Sequence, residues 1–441
     1  MTNFGDVICR LEEALDRLPA PVSAELRRQI KELREVLVDH RSPRFALVGR
    51  RGSGKSSLIN AIFGRPVAEV GSVKSESGRA RWYTYHGTLG GIEILDTRGI
   101  HEGSAPRQED EMTSPFDSIM QALTERMPDA ILFLCKAKEV DSGIKADVAT
   151  LKAIVRAVHR HHRYHPPLLG VVTQADELDP PRVALPPDKD EDPELADEKK
   201  ANVVAACRHL LERLEGDSDL KPLVVGVVPV VAFMSFRNDG TLRRDDRWNI
   251  DQLVGMLYDE VPRQARTELA RISQVRDVQR ALAETLVKTA TGIAMGIAAL
   301  PLPLADLPLI TAAQTTMISG IGYIAGWEFK PSCAAEFFSA LGLNVGAALG
   351  LREIARAAAR LIVPGAGSLV SSSVAGAGTW ALGQAAIAWF IDRKTKQDVR
   401  LLYASARKEW TPGALNASAL SGKSTTGDPA DPADPAGGRV G

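Results

Sequence analysis

Eight consecutive residues, Gly49-Arg50-Arg51-Gly52-Ser53-Gly54-Lys55-Ser56, fit the pattern GxxxxGK[ST] in full. Glycines at these positions let backbone N–H groups close around a phosphate, and a helix beginning at the lysine adds the positive end of its dipole. Residues Gly49 through Ser57 would line a chain of phosphates. The Lys55 ammonium would reach the β- and γ-phosphates as the catalytic cation, while the Ser56 hydroxyl would ligate Mg²⁺. A second cluster, Asp96-Thr97-Arg98-Gly99, follows about forty residues after that lysine. A carboxylate at Asp96 can hold the Mg²⁺ shell, and the Gly99 N–H can meet a γ-phosphate, which makes the loop sensitive to its presence. The third cluster is Thr173-Gln174-Ala175-Asp176, a hydroxyl, an amide and a carboxylate within four residues.

These groups need a scaffold that brings three loops together. Apolar runs Phe45–Val48, Ile92–Leu95 and Leu168–Val172 stand directly before the three clusters, and Trp82–Tyr85, Ala130–Cys135 and Leu223–Val231 are further runs. Helical stretches at 55–63, 116–126, 144–162 and 195–214 lie between them. Short apolar strands alternating with helices predict an α/β domain with a mostly parallel sheet over 44–262. Residues 1–43 read as a helical segment, with Val7, Leu11, Leu15 and Leu18 at helical spacing and Leu26, Ile30, Leu33 and Leu37 following Pro19–Pro21. Residues 177–200 hold nine acidic residues, four basic ones and five prolines, the composition of an exposed loop. Residues 263–410 are predicted helical and poor in charge after 288. The tail 411–441, ending in GDPADPADPAGG, is predicted disordered.

With all three clusters in place, the chain resembles the Era-like, tRNA-modification-type group of P-loop GTPases over roughly residues 44–262. The resemblance implies that the chain binds GTP and GDP with Mg²⁺ and hydrolyses GTP. In that family an [NT]KxD motif reads guanine; Asp176 matches the carboxylate that takes the ring N1–H and exocyclic amine, and Thr173 matches the first position. Gln174 replaces the usual lysine, which weakens packing on the base. A fifth element is expected in Val231-Ala232-Phe233-Met234-Ser235, with backbone near Ala232 or Ser235 facing the base. The family's Mg²⁺-binding threonine is missing between the first loop's helix and Trp82, where Ser75 or Ser77 offers a hydroxyl; Ser75 is taken as the ligand. Ile100 stands where Ras-like proteins carry a water-orienting glutamine, with His101 next to it, and Gly52 stands where potassium-activated members carry asparagine. Slow intrinsic hydrolysis is expected, in keeping with a switch that needs a partner or self-association. A nucleotide-gated binding module with negligible turnover fits the same departures. A soluble ribosome- or RNA-associated GTPase is a further alternative.

The whole-chain averages conceal two regions. With 54 basic and 55 acidic side chains, 44% apolar and 25% charged residues, the composition excludes a wholly disordered chain, a collagen-like fibre, a disulfide scaffold and a globally basic nucleic-acid binder. Residues 289–391, however, hold only eight charges among 103 residues. The runs 289–305, 307–327 and 361–391 are uncharged and long enough to cross a hydrocarbon core, which takes roughly 20 residues. Glycine pairs such as Gly292/Gly296 and Gly322/Gly326 let helices approach closely, in a membrane or in a soluble bundle. Arg352, Arg356 and Arg360 share one helix face. Pro301–Ile310, Arg360–Ser368 and Thr379–Gly383 resemble the YcjF-type domain of unknown function over about 285–405, a family that includes inner-membrane proteins. Contact with lipid through 289–391, at the cytoplasmic face of the bacterial inner membrane, is therefore expected. No nucleic-acid partner is expected, because no basic patch with interleaved aromatics is present outside the first loop.

The remaining signals are weaker. Cys9, Cys135, Cys207 and Cys333 are scattered without a CxxC pair, which suits a reducing compartment, and Cys135 reads as a buried strand thiol. His159, His161, His162 and His165 read as a solvated helix end rather than a metal site. The first residues lack the charged-then-apolar order of a secretory signal.

Overall fold

The computed structural model describes residues 4–15, 20–68, 82–96, 115–141, 144–299, 306–327, 331–342 and 368–410. Its centre is a sheet of six strands: β1 (Arg44–Val48), β2 (Trp82–Gly87), β3 (Gly90–Asp96), β4 (Ala130–Lys136), β5 (Leu168–Thr173) and β6 (Val224–Pro229). Their order is β2-β3-β1-β4-β5-β6, parallel throughout except for β2, which pairs antiparallel with β3. The predicted α/β class with a mostly parallel sheet and a helical region after it is the fold observed.

Strand sequence explains the layering. Successive residues of β1 face opposite sides. Phe45 and Leu47 pack with helices α3 (Lys55–Phe63), α7 (Ile250–Glu260) and α8 (Arg263–Ser273). Ala46 and Val48 pack with α4 (Pro115–Glu125), α5 (Ile144–His162) and α6 (Pro193–Glu215). Central β4 and β5, with cover on both faces, read as unbroken apolar runs and are buried along almost their whole length. At the opposite end from the glycine-rich loop, the fully buried Asp129 accepts from Arg41 at 2.8 and 2.6 Å and from the Arg44 N–H at 2.9 Å. This fixes the starts of β1 and β4 together.

Helices α1 (Phe4–Leu15) and α2 (Ala20–Leu37) pack on α9 (Arg276–Ala298) and α10 (Asp306–Ile324), far from them in sequence. Helices α11 (Pro331–Ala340), α12 (Ser368–Phe390) and α13 (Lys396–Glu409) complete this helical region. Its apolar residues belong to the same hydrophobic cluster as Phe45, Leu47 and the α3–α7–α8 layer. Helix α12 has no polar face because α9, α10 and α13 surround it; Ala381, Leu382, Ala385, Ala386 and Phe390 are all buried. Glycines 292 and 296 turn to α2, where a Cβ on Gly296 would stand 2.6 Å from Leu26 Cδ2.

Three expectations change. Among the described residues no helix is long and apolar enough to cross a membrane, and the described parts of the uncharged runs lie inside a helical bundle. The charged stretch 263–288 is not one element: the chain breaks at Gln274 (φ 54°), and α9 carries an apolar stripe of Val278, Leu282 and Leu286 straight into the charge-poor residues. The acidic run 177–200 becomes helix from Pro193, because the Asp192 side chain accepts from the Glu194 N–H at 2.9 Å and proline suits the first helical position. Between β6 and α7 lies a small sheet of β7 (Met234–Phe236) and β8 (Leu242–Asp245), which no apolar run announced.

Candidate functional site

The loop between β1 and α3 has the backbone that its glycines permit. Gly52 (φ 76°) and Gly54 (φ 86°) occupy the left-handed region. Gly49 is hemmed in, since a Cβ there would meet the Leu134 carbonyl oxygen at 2.5 Å. Gly54 stands at the N-cap of α3 and makes no side-chain cap to its first turn, the end of a helix that suits an anionic acceptor. Lys55 is buried and its ammonium donates to the Gly49 and Arg50 carbonyls at 2.6 and 2.9 Å. The Ser53 hydroxyl is buried with no hydrogen-bond partner among the described residues. A pocket of backbone donors around an unmatched hydroxyl, with a lysine folded over it, fits a phosphate chain.

Neighbouring strands brace this loop. Arg50 pairs with Asp147 of α5 at 2.8 Å, so its guanidinium is directed sideways onto the scaffold. Lys136, at the end of β4, lies 3.6 Å from where a Gly52 Cβ would be and pairs with Glu139 at 2.9 Å. Arg51 is exposed. Asp96 ends β3 opposite Leu47 of β1, so the two strands deliver their C-terminal ends to one place. Ser75, Ser77, Gly99, Ile100 and His101 lie outside the described residues. The way into that first segment is fixed by Asn60 of α3, a residue sequence reasoning passed over. Its side chain accepts from the Val67 and Ala68 N–H groups at 2.9 and 2.7 Å and donates to the Ala68 carbonyl at 2.8 Å.

The third cluster sits on the same rim. Thr173 is buried, and its hydroxyl lies 2.9 Å from the Ser53 carbonyl and 3.3 Å from that of Cys135. The end of β5 is thereby fastened to the glycine-rich loop. Gln174 (φ 56°) reaches the Gly52 carbonyl at 3.5 Å, and Asp176 is exposed in a short 3₁₀ turn, Ala175–Glu177. Ala232 is half-buried next to Val231, whose backbone bridges to Trp248. Beneath this corner Ala175, Val203 and Val231 form a satellite core with Leu178, Leu185 and Trp248. Burial pushes the Cys135 thiol up to about 12, helped by Asp147 and Glu139.

Two groups are set aside. His159 stacks on His165 with ring centroids 4.0 Å apart, but the described residues contain no cluster of His, Cys, Asp and Glu able to hold a metal. The β7–β8 ribbon exposes Phe233 and Leu242 beside the corner.

Residues 44–173, β1 through β5, match the profile of the 50S ribosome-binding GTPase family. They form a GTP-binding P-loop GTPase domain. The uncharacterized protein YfjP of Escherichia coli strain K12 is 28% identical over 183 residues, 41% of this chain and 56% of YfjP. The small ribosomal subunit biogenesis GTPase RsgA 1 of Oceanobacillus iheyensis is 30% identical over 121 residues, 26% of this chain and 32% of RsgA 1. The chain thus spans little more than half the length of YfjP and a third of RsgA 1. Among solved structures, Toc33 from Arabidopsis thaliana in complex with Mg²⁺ and GMPPNP covers 55% of this chain and 93% of its own, with 18% identity and a TM-score of 0.31.

Proposed function

We propose that the chain is a guanine-nucleotide switch that hydrolyses GTP slowly, with the helical region responding to the state of the P-loop domain. The single observation that carries this is the bond from Thr173 to the Ser53 carbonyl, which joins a phosphate-cradling loop to a loop bearing an exposed carboxylate. Phosphate and base would be held on one rim. Backbone N–H groups from Gly49 to Ser57, together with Arg51, would take the phosphates, and Lys55 would exchange its two carbonyl acceptors for phosphate oxygens. Thr173, Gln174, Asp176 and the Ala232 backbone would frame guanine, with Asp176 accepting from N1–H and the exocyclic amine. Ser56, Asp96 and Ser75 would hold Mg²⁺, which when bound supplies positive charge to the β- and γ-phosphate oxygens. Gly99 would meet the γ-phosphate, and Ile100 in place of a glutamine accounts for slow turnover. The test is equilibrium binding of fluorescent GTP and ATP analogues with Mg²⁺. Selective GTP binding that Lys55→Ala abolishes supports the reading, whereas equal affinity for ATP overturns it.

A second reading concerns partners. The family match and the RsgA relative favour a ribosomal subunit. Lipid contact through 289–391 at the cytoplasmic face of the inner membrane is the competing route, supported by the low charge of that region and not by the buried α12, with self-association as a third. Cosedimentation with ribosomal subunits against flotation on anionic vesicles, each with GTP and GDP, separates the first two.

A further inference from the structure

The acidic run after Asp176 hides a lysine. Lys199, on the second turn of α6, is 0% exposed, and its ammonium donates to the main-chain carbonyls of Asp176 at 2.7 Å, Leu178 at 2.5 Å and Pro180 at 3.2 Å. Three alternate carbonyls of the stretch 176–180 are gathered on one cation, and all three donor positions of the ammonium are filled. Three residues on, Asn202 adds a bond to the Asp179 carbonyl at 2.9 Å, and Val203 packs against Ala175 in the satellite core. Burial lowers the Lys199 pKa from the ordinary lysine value, and the nearby Asp176 and Asp179 work in the other direction. A buried cation with so many backbone acceptors is costly to place and then rigid once placed.

We propose that Lys199 is the positioning residue of the base-recognition loop: through the Asp176 carbonyl it fixes where the Asp176 carboxylate meets guanine. The inference rests on the reading of Asp176 as the guanine reader. It assigns to the insertion 177–200 and the start of α6 a part of nucleotide selection that the glycine-rich loop does not supply. Gln174 reaches the Gly52 carbonyl at 3.5 Å and ties the base loop to the phosphate side, while the Lys199 ammonium holds the same loop from below.

The test uses the full chain and the ratio of GTP to ITP affinity. ITP keeps the ring N1–H and lacks the exocyclic amine, so the ratio reports one hydrogen bond to Asp176 and is blind to a general loosening of the phosphate site. A charged hydrogen bond of this kind favours GTP by roughly tenfold or more. Lys199→Met, close in volume without the charge, is expected to lower that ratio to within about threefold of unity, while GDP release accelerates. Asn202→Ala, which removes only the outer bond, is expected to shift the ratio in the same direction by about twofold and keeps the test alive if K199M does not fold. In an Asp176→Ala background the Lys199 substitution should have no further effect on the ratio. A wild-type preference for GTP that K199M leaves unchanged, or GTP and ITP weakened equally in both variants, overturns the role of Lys199 and spares the proposed function. A wild-type protein that does not distinguish GTP from ATP overturns both.

Discussion

Lys55 and Cys135 show how single side chains near the glycine-rich loop are tuned by their surroundings. Lys55 is held by two carbonyls of its own loop, so a phosphate oxygen must replace good acceptors and not merely water. Cys135 stands on the strand beside that loop, where its carbonyl accepts from Thr173. Its thiol is pushed up to about 12, and that of Cys207 up to about 11, by burial. Raising a thiol pKa removes thiolate at working pH, and thiolate is the reacting form. In a Cys333→Ser background at pH 8, a disulfide reagent should therefore modify exposed Cys9 and spare Cys135 and Cys207 until the chain is unfolded. Labelling of Cys135 in the native protein would show that the rim is looser than described.

Elements were legible where periodicity and punctuation agreed. The six apolar runs became the six strands of the sheet, and the glycine-rich motif fell between strand and helix as its chemistry requires. The 3.6-residue pattern also separated α5 and α6 from their neighbours. Three things were not legible. Lys199 carries the same letter as the solvated Lys200 beside it, and only the fold puts one inside and the other outside. The β7–β8 ribbon is too short, at three and four residues, to show a strand period, and it is held by backbone pairing. The uncharged helices read as lipid-contacting, because composition reports that a helix is surrounded by apolar matter and not which matter. Helix α12 supplies a test of the bundle. A Cβ on Gly383 would stand 2.5 Å from both Cγ atoms of Val287 in α9. Gly383→Ala should cost about 1–3 kcal/mol in denaturant unfolding through overpacking. No loss would mean that α9 and α12 do not meet as described.

At the scale of the molecule, the P-loop domain and the helical region share one hydrophobic cluster and a polar clasp. Arg271 of α8 is buried, and its guanidinium lies 3.3 Å from the centre of the Tyr323 ring. It donates to the Leu89 carbonyl at 3.0 Å and to the Tyr323 carbonyl. Leu89 is the turn between β2 and β3, and β3 ends at Asp96, so one strand runs from the clasp to the candidate Mg²⁺ site. Glycine suits the turn as well, since Gly90 holds φ 140° and a Cβ there would displace the Glu268 carboxylate. Wild-type protein should unfold in one cooperative transition. Arg271→Met removes the donor to the Leu89 carbonyl and one of the two donors to the Tyr323 carbonyl, which also accepts from the Gly326 N–H; it should cost about 1–3 kcal/mol and separate two transitions in calorimetry. A single unshifted transition would remove the clasp from the account.

On the proposed reading this rim hydrolyses GTP and does not merely bind it. Single-turnover phosphate release from GTP, with full-length protein in excess over nucleotide and with Mg²⁺, measures that directly. The account predicts a slow release that exceeds the Lys55→Ala control by at least about a hundredfold, the scale expected when a charge-stabilising group is lost from a transition state, and that does not occur with ATP. Release from GTP no faster than the Lys55→Ala control would contradict it.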